Sequence, residues 1–117
     1  MQIAVYSSGY LGSIISACVA DFGLPVTCFD ENTPRIREAA QGRIPFFEKN
    51  LEEVIKRNVR AGRLLYSTDI ASTVQRATVI YLAEDDARTV EGLALKIAQL
   101  ARPRTVIVLS SPMPVGT

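Results

Sequence analysis

The stretch Ser7-Ser8-Gly9-Tyr10-Leu11-Gly12 and the acid Asp30 have the types and spacing that could do chemistry. The stretch is a small-residue turn that follows the apolar run Ile3-Ala4-Val5-Tyr6 directly. Where such a turn opens a helix, backbone amides freed from Cβ crowding can bind a pyrophosphate. An acid at the end of the next strand, about 20 residues on, can then accept hydrogen bonds from a ribose. Asp30 falls at that interval, and its charge would repel a 2′-phosphate, which selects NAD over NADP. The Gly-x-Gly-x-x-Gly fingerprint falls on Ser7, Gly9 and Gly12, so its first glycine is a serine whose Cβ crowds the turn. Each feature has a plainer reading. The turn could join a strand to a helix without any ligand, and Asp30 could be a helix-opening acid beside Thr33-Pro34.

Few other residues offer reactivity. No histidine is present among the 117 residues, which removes the commonest general base and most zinc constellations. Cys18 and Cys28 lie on an expected helix face and in an expected strand, so both read as buried thiols. Glu84-Asp85-Asp86 follows an apolar strand. These acids can cap the next helix, yet they would also face the phosphate side of a dinucleotide crevice. Two like charges about 6 Å apart repel by roughly 2–3 kcal/mol at an effective dielectric near 20. The net charge of +1 gives no reason to expect nucleic acid or a membrane surface as partner. No apolar run approaches the roughly 20 residues that span a bilayer, and Met1 leads into a strand rather than a signal peptide. A cytoplasmic chain is expected.

The elements that must position these residues alternate in type. Gln2 to Tyr6 reads as a strand buried on both faces. Leu11, Ile14, Ile15, Cys18, Val19 and Phe22 then recur at helical spacing, and Gly23 closes that helix. Pro25 to Phe29 is a second strand. Thr33 as N-cap with Pro34 opens a helix that stops near Gly42. After the loop Arg43 to Glu48, where Phe46 and Phe47 read as core-closing aromatics, a helix runs from Leu51 to Val59. The turn Ala61-Gly62-Arg63 leads to a strand from Leu64 to Ser67. Thr68-Asp69 caps a short helix, Ile70 to Arg76. Thr78 to Ala83 is a strand, followed by a helix to about Ala101 with Val90, Leu93, Ala94, Ile97 and Leu100 on its face. Thr105 to Leu109 is the last strand. Alternation of this kind predicts one α/β domain, a Rossmann-type doubly wound parallel sheet of order 3-2-1-4-5.

In this order the motifs resemble the N-terminus of the UDP-glucose/GDP-mannose dehydrogenase family. The segments concerned are Ile3 to Gly12, Val26 to Asp30, Gly42-Arg43-Ile44-Pro45-Phe46-Phe47-Glu48, Ala61-Gly62-Arg63-Leu64, Ser67-Thr68-Asp69 and Pro114-Val115-Gly116-Thr117. The resemblance implies a nucleotide-sugar 6-dehydrogenase of the UDP-glucose type, which uses NAD to oxidise a C6 hydroxyl to a carboxylate. It assigns NAD to Ser8, Gly9, Tyr10, Leu11, Gly12, Asp30 and Arg35. It further implies that residues 1–117 stop before the family's helical and C-terminal domains, which supply the catalytic cysteine, the lysine and most sugar contacts. This chain would then carry no catalytic residue and no metal, and would meet a nucleotide sugar only together with those domains. A homo-oligomer is compatible with it. Neither cysteine sits in a matching motif, and the family's threonine near the chemistry falls on Pro112. Ser7, the acidic 84–86 loop and Pro112 favour a rival, a degenerate Rossmann module kept for binding or assembly. A methyltransferase-like domain, another α/β reading, is opposed by the Gly-Arg-Ile-Pro-Phe-Phe-Glu loop.

Overall fold

The computed structural model describes residues 2–6, 9–43, 49–83 and 87–109, apart from the side chains of residues 10, 49, 87–93 and 109. Ser7, Ser8, the Phe46-Phe47-Glu48 loop, Glu84-Asp85-Asp86, Pro112 and the rest of the tail lie outside the described residues. The elements in chain order are β1 (Ile3–Tyr6), α1 (Tyr10–Asp21), β2 (Val26–Phe29), α2 (Thr33–Ala40) and α3 (Lys49–Arg60). They continue with β3 (Leu64–Ser67), α4 (Ile70–Arg76), β4 (Val79–Leu82), α5 (Ala87–Leu100) and β5 (Val106–Leu109). All four strand pairs are parallel, in the order β3-β2-β1-β4-β5, as the alternation predicts. Chain order therefore reverses between β1 and β4, and every strand ends on the same edge of the sheet.

Strand alternation divides the core in two. Ile3 and Val5 of β1 and Val26 and Cys28 of β2 pack with Ala17 and Ala20 of α1 and Leu51 and Ile55 of α3. Ala4, Tyr6, Phe29, Ile80 and Leu82 face the other way, onto Val74 of α4 and Ile97 of α5. A strand covered on both faces needs apolar residues at every position, which is why β1 shows no polar alternation.

Helix α1 corrects the sequence reading. Its buried positions are Gly12, Ser13, Ser16, Ala17 and Ala20, whereas Cys18 is exposed and Phe22 is 87% exposed. Leu11, Ile14, Ile15 and Val19 are only partly buried, flanking the same core. A helix laid closely on a sheet places its smallest side chains at the contact, and bulky ones are displaced to the flanks. Cys28 is buried as expected; Cys18 is not.

Three helices end alike. After α1, Gly23 takes φ +99°, its N–H bonds the Ala20 carbonyl at 2.8 Å, and the Leu24 N–H reaches Val19 at 3.4 Å. The same two bonds close α2 at Gly42 and α3 at Gly62. This double closure needs a left-handed residue, so glycine after a helical run is a positional signal. At the start of α2 the cap is Asn32 rather than Thr33. Its side-chain oxygen accepts the Arg35 N–H at 3.1 Å, and Thr33 and Pro34 are already helical.

Candidate cofactor-binding site

The parallel register brings the expected site residues to one edge. Gly9 follows β1 and is the N-cap of α1, buried, with its carbonyl accepting the Ser13 N–H at 2.9 Å. Its φ of −69° is open to any residue, so the backbone conformation there does not itself require glycine. Gly12 is buried one turn later on the face that meets the sheet. Tyr10 and Leu11 form the first turn with it, Leu11 being half-buried.

The openings of the helices differ. Asn32 caps α2 and Asp69 caps α4, each with a side-chain oxygen taking a backbone N–H at 3.1 Å. The N-cap of α1 is a glycine, which has no side chain to cap with, and the first turn of that helix holds no acid. The partial positive charge of that helix end is therefore met by no carboxylate of its own turn.

Asp30 stands at the end of β2, only 7% exposed, and its backbone N–H bonds the Ser67 carbonyl of β3 at 3.2 Å. Its Oδ1 accepts the Asn32 N–H at 3.1 Å, which fixes the carboxylate at the mouth of the loop. Arg35, on the first turn of α2, is exposed. A contact that the sequence reading missed lies beside them. The Tyr6 hydroxyl, at the end of β1, donates to Glu31 Oε1 at 3.4 Å. Tyr6 is itself wedged edge-on against Phe29, with ring centroids 5.3 Å apart. Twenty-five residues separate the partners, and local periodicity carries no trace of the pairing.

No group of three or more potential metal ligands occurs among the described residues. Nor is any helix there long and apolar enough to cross a membrane. Cys28 is sealed in the sheet, where burial pushes its thiol up to about 12. A thiol so placed cannot serve as a nucleophile near neutral pH.

Known proteins share both sequence and shape. The NAD binding domain model of the UDP-glucose/GDP-mannose dehydrogenase family matches residues 1–117. UDP-glucose 6-dehydrogenase of Rhizobium meliloti is 33% identical over 100% of this chain and 29% of its own length. UDP-glucose 6-dehydrogenase TuaD of Bacillus subtilis is 34% identical over 99% and 27%, respectively. The chain thus spans less than a third of these relatives. Among solved structures, GDP-mannose dehydrogenase from Pseudomonas aeruginosa superposes with a TM-score of 0.84 at 24% identity, covering 100% of this chain and 30% of that one. UDP-glucose dehydrogenase from Pyrobaculum islandicum gives 0.84 at 24% identity, covering 99% and 30%. At that identity the superpositions establish the fold.

Proposed function

Since the chain belongs to the UDP-glucose/GDP-mannose dehydrogenase family as its NAD-binding domain, we propose that it serves a cytoplasmic enzyme oxidising the C6 hydroxyl of UDP-glucose to a carboxylate. Its contribution is the dinucleotide half of the site. The groups that hold the sugar and perform the chemistry belong to the family's helical and C-terminal domains. The observation carrying this reading is the acid-free first turn of α1, opened by buried Gly9, on the sheet edge that also ends in Asp30.

These residues fit NAD. Backbone amides from Ser8 through Gly12 would hold the pyrophosphate, with Gly9 and Gly12 leaving room for close approach. Asp30 would accept hydrogen bonds from the adenosine ribose, and Arg35 would lie near the adenosine. When bound, NAD supplies the hydride acceptor. This chain's own residues would bind and orient the dinucleotide, and the family's other domains would take the proton of the sugar hydroxyl. Orienting both reactants is worth about 7–11 kcal/mol of barrier, which a domain holding one of them cannot supply.

Calorimetry with NAD tests the binding half. Wild type should bind, and Gly9→Val should lose at least about tenfold in affinity with unchanged circular dichroism. A wild type giving no heat would favour the degenerate-module reading, which Ser7, Glu84-Asp85-Asp86 and Pro112 support. The catalytic half is tested by NADH absorbance with nucleotide sugars. Turnover by these 117 residues alone, abolished in Gly9→Val, would overturn the division of labour.

A further inference from the structure

We propose that Glu31, held in place by the Tyr6 hydroxyl, is a second carboxylate that discriminates NAD from NADP alongside Asp30. The inference rests on the NAD-binding reading of the domain and concerns a residue that the glycine fingerprint and its acid do not include.

Three observations support it. Tyr6 is a fixed point, because it is the last residue of β1, 7% exposed, and packed edge-on against the fully buried Phe29. Its hydroxyl therefore has a defined position at the strand ends, and it donates to Glu31 Oε1. Glu31 is otherwise an exposed side chain, whose rotamer freedom would spread its charge through solvent. The bond localises that charge at the edge where β1 passes to Gly9 and β2 ends at Asp30.

The two carboxylates also approach from different sides. Along β2, Cys28 belongs to the core under α1 and Phe29 to the core under α4 and α5. Extending the strand's alternation one residue past Phe29 would put Asp30 on the α1 side, whereas Glu31 bonds Tyr6, which belongs to the opposite core. A 2′-phosphate on a ribose at the end of β2 would meet negative charge from both sides. A 2′-hydroxyl would meet acceptors instead. Neutralising Asp30 alone would therefore leave NADP still disfavoured.

Titration of this chain with NAD and with NADP tests the proposal, using Glu31→Gln, Tyr6→Phe, Asp30→Asn and the Asp30→Asn/Glu31→Gln pair. Glu31→Gln keeps the size and the acceptor oxygen, and Tyr6→Phe keeps the ring in the core. Glu31→Gln should tighten NADP binding by about three- to tenfold while NAD stays within about twofold. Tyr6→Phe should move the NADP-to-NAD ratio in the same direction by a smaller factor. Asp30→Asn should still prefer NAD, and only the pair should bind NADP as well as NAD. The gain in Glu31→Gln should shrink as ionic strength rises from about 0.05 to about 0.5 M, as an exposed charge requires. An unchanged ratio in Glu31→Gln overturns the proposal, as does a ratio that moves in Glu31→Gln but not in Tyr6→Phe. A wild type that binds neither dinucleotide refutes the NAD reading, and this inference with it.

Discussion

Arg63, the residue before β3, donates from Nε to the carbonyl of Ala20 near the end of α1, at 3.1 Å and 43 residues away in sequence. The same Nε reaches Asn58 Oδ1 at 2.9 Å. Asn58 is completely buried, and its amide donates to Asp21 Oδ1 at 3.1 Å and to the Val54 carbonyl at 2.9 Å. One asparagine thus fastens the ends of α1 and α3 to the turn that launches β3. Asn58→Ala strips these partners at once and should cost about 1–3 kcal/mol in urea unfolding. A loss below about half of that would mean that the network is redundant.

Acid should loosen this junction. The Arg57 guanidinium, bonded to Asp21 Oδ1 at 2.7 Å, and the Asn58 amide hold the Asp21 carboxyl below its ordinary value of 3.8. A depressed carboxylate contributes stability above its unfolded value and loses it as pH falls through the folded one. Urea midpoints should therefore drop below pH 3.8 in wild type. They should drop less steeply in Asp21→Asn. Parallel acid limbs in the two proteins would remove Asp21 from the account.

Packing of α1 gives a paired test. Ala20 is fully buried against the sheet and Phe22 is 87% exposed. Ala20→Leu should destabilise by about 1–3 kcal/mol through overpacking. Phe22→Ser should stay within about 0.5 kcal/mol of wild type. A helical wheel read from the sequence ranks the two the other way, so thermal melts of both variants decide between the readings.

The thiols should separate cleanly. Alkylation of the native chain, read by mass spectrometry, should label exposed Cys18 and spare buried Cys28 until the protein is unfolded. At the other extreme of pH, burial lifts Cys28 from 9.0 to about 12 and raises Tyr66 as well. A group raised in this way contributes stability below its unfolded value and loses it as pH climbs toward the folded one. Unfolding should become easier from pH 9.0 toward about 12, and Cys28→Ala should remove part of that slope.

Glu84-Asp85-Asp86 follows β4, the strand beside β1 at the point where chain order reverses. Replacing all three by neutral residues should tighten NAD binding severalfold at low salt and less at high salt. Unchanged or weaker binding would restrict those acids to helix capping.

The sequence alone determined the strand order, the ends of α1, α2 and α3, and the acid closing β2. Each of these is written locally. Unbroken apolar runs mark strands covered on both faces, glycine after a helical run marks the left-handed closure, and Asp30 stands at a fixed interval from Gly12. Asp69 at the start of α4 was legible for the same reason, while the α2 cap fell one residue early, on Asn32. What only the tertiary structure decided depends on partners distant in sequence. Periodicity identifies the sides of α1, but with bulky apolar residues on one side and small ones on the other it cannot say which meets the sheet. The close approach of helix to sheet settles that in favour of Gly12, Ser16 and Ala20, and leaves Cys18 and Phe22 outside. The Tyr6–Glu31 bond and the Arg63–Asn58–Asp21 junction arise in the same way. A hydrogen bond between residues 25 or 37 positions apart exists only once the sheet has set strand ends side by side and packed α1 against α3.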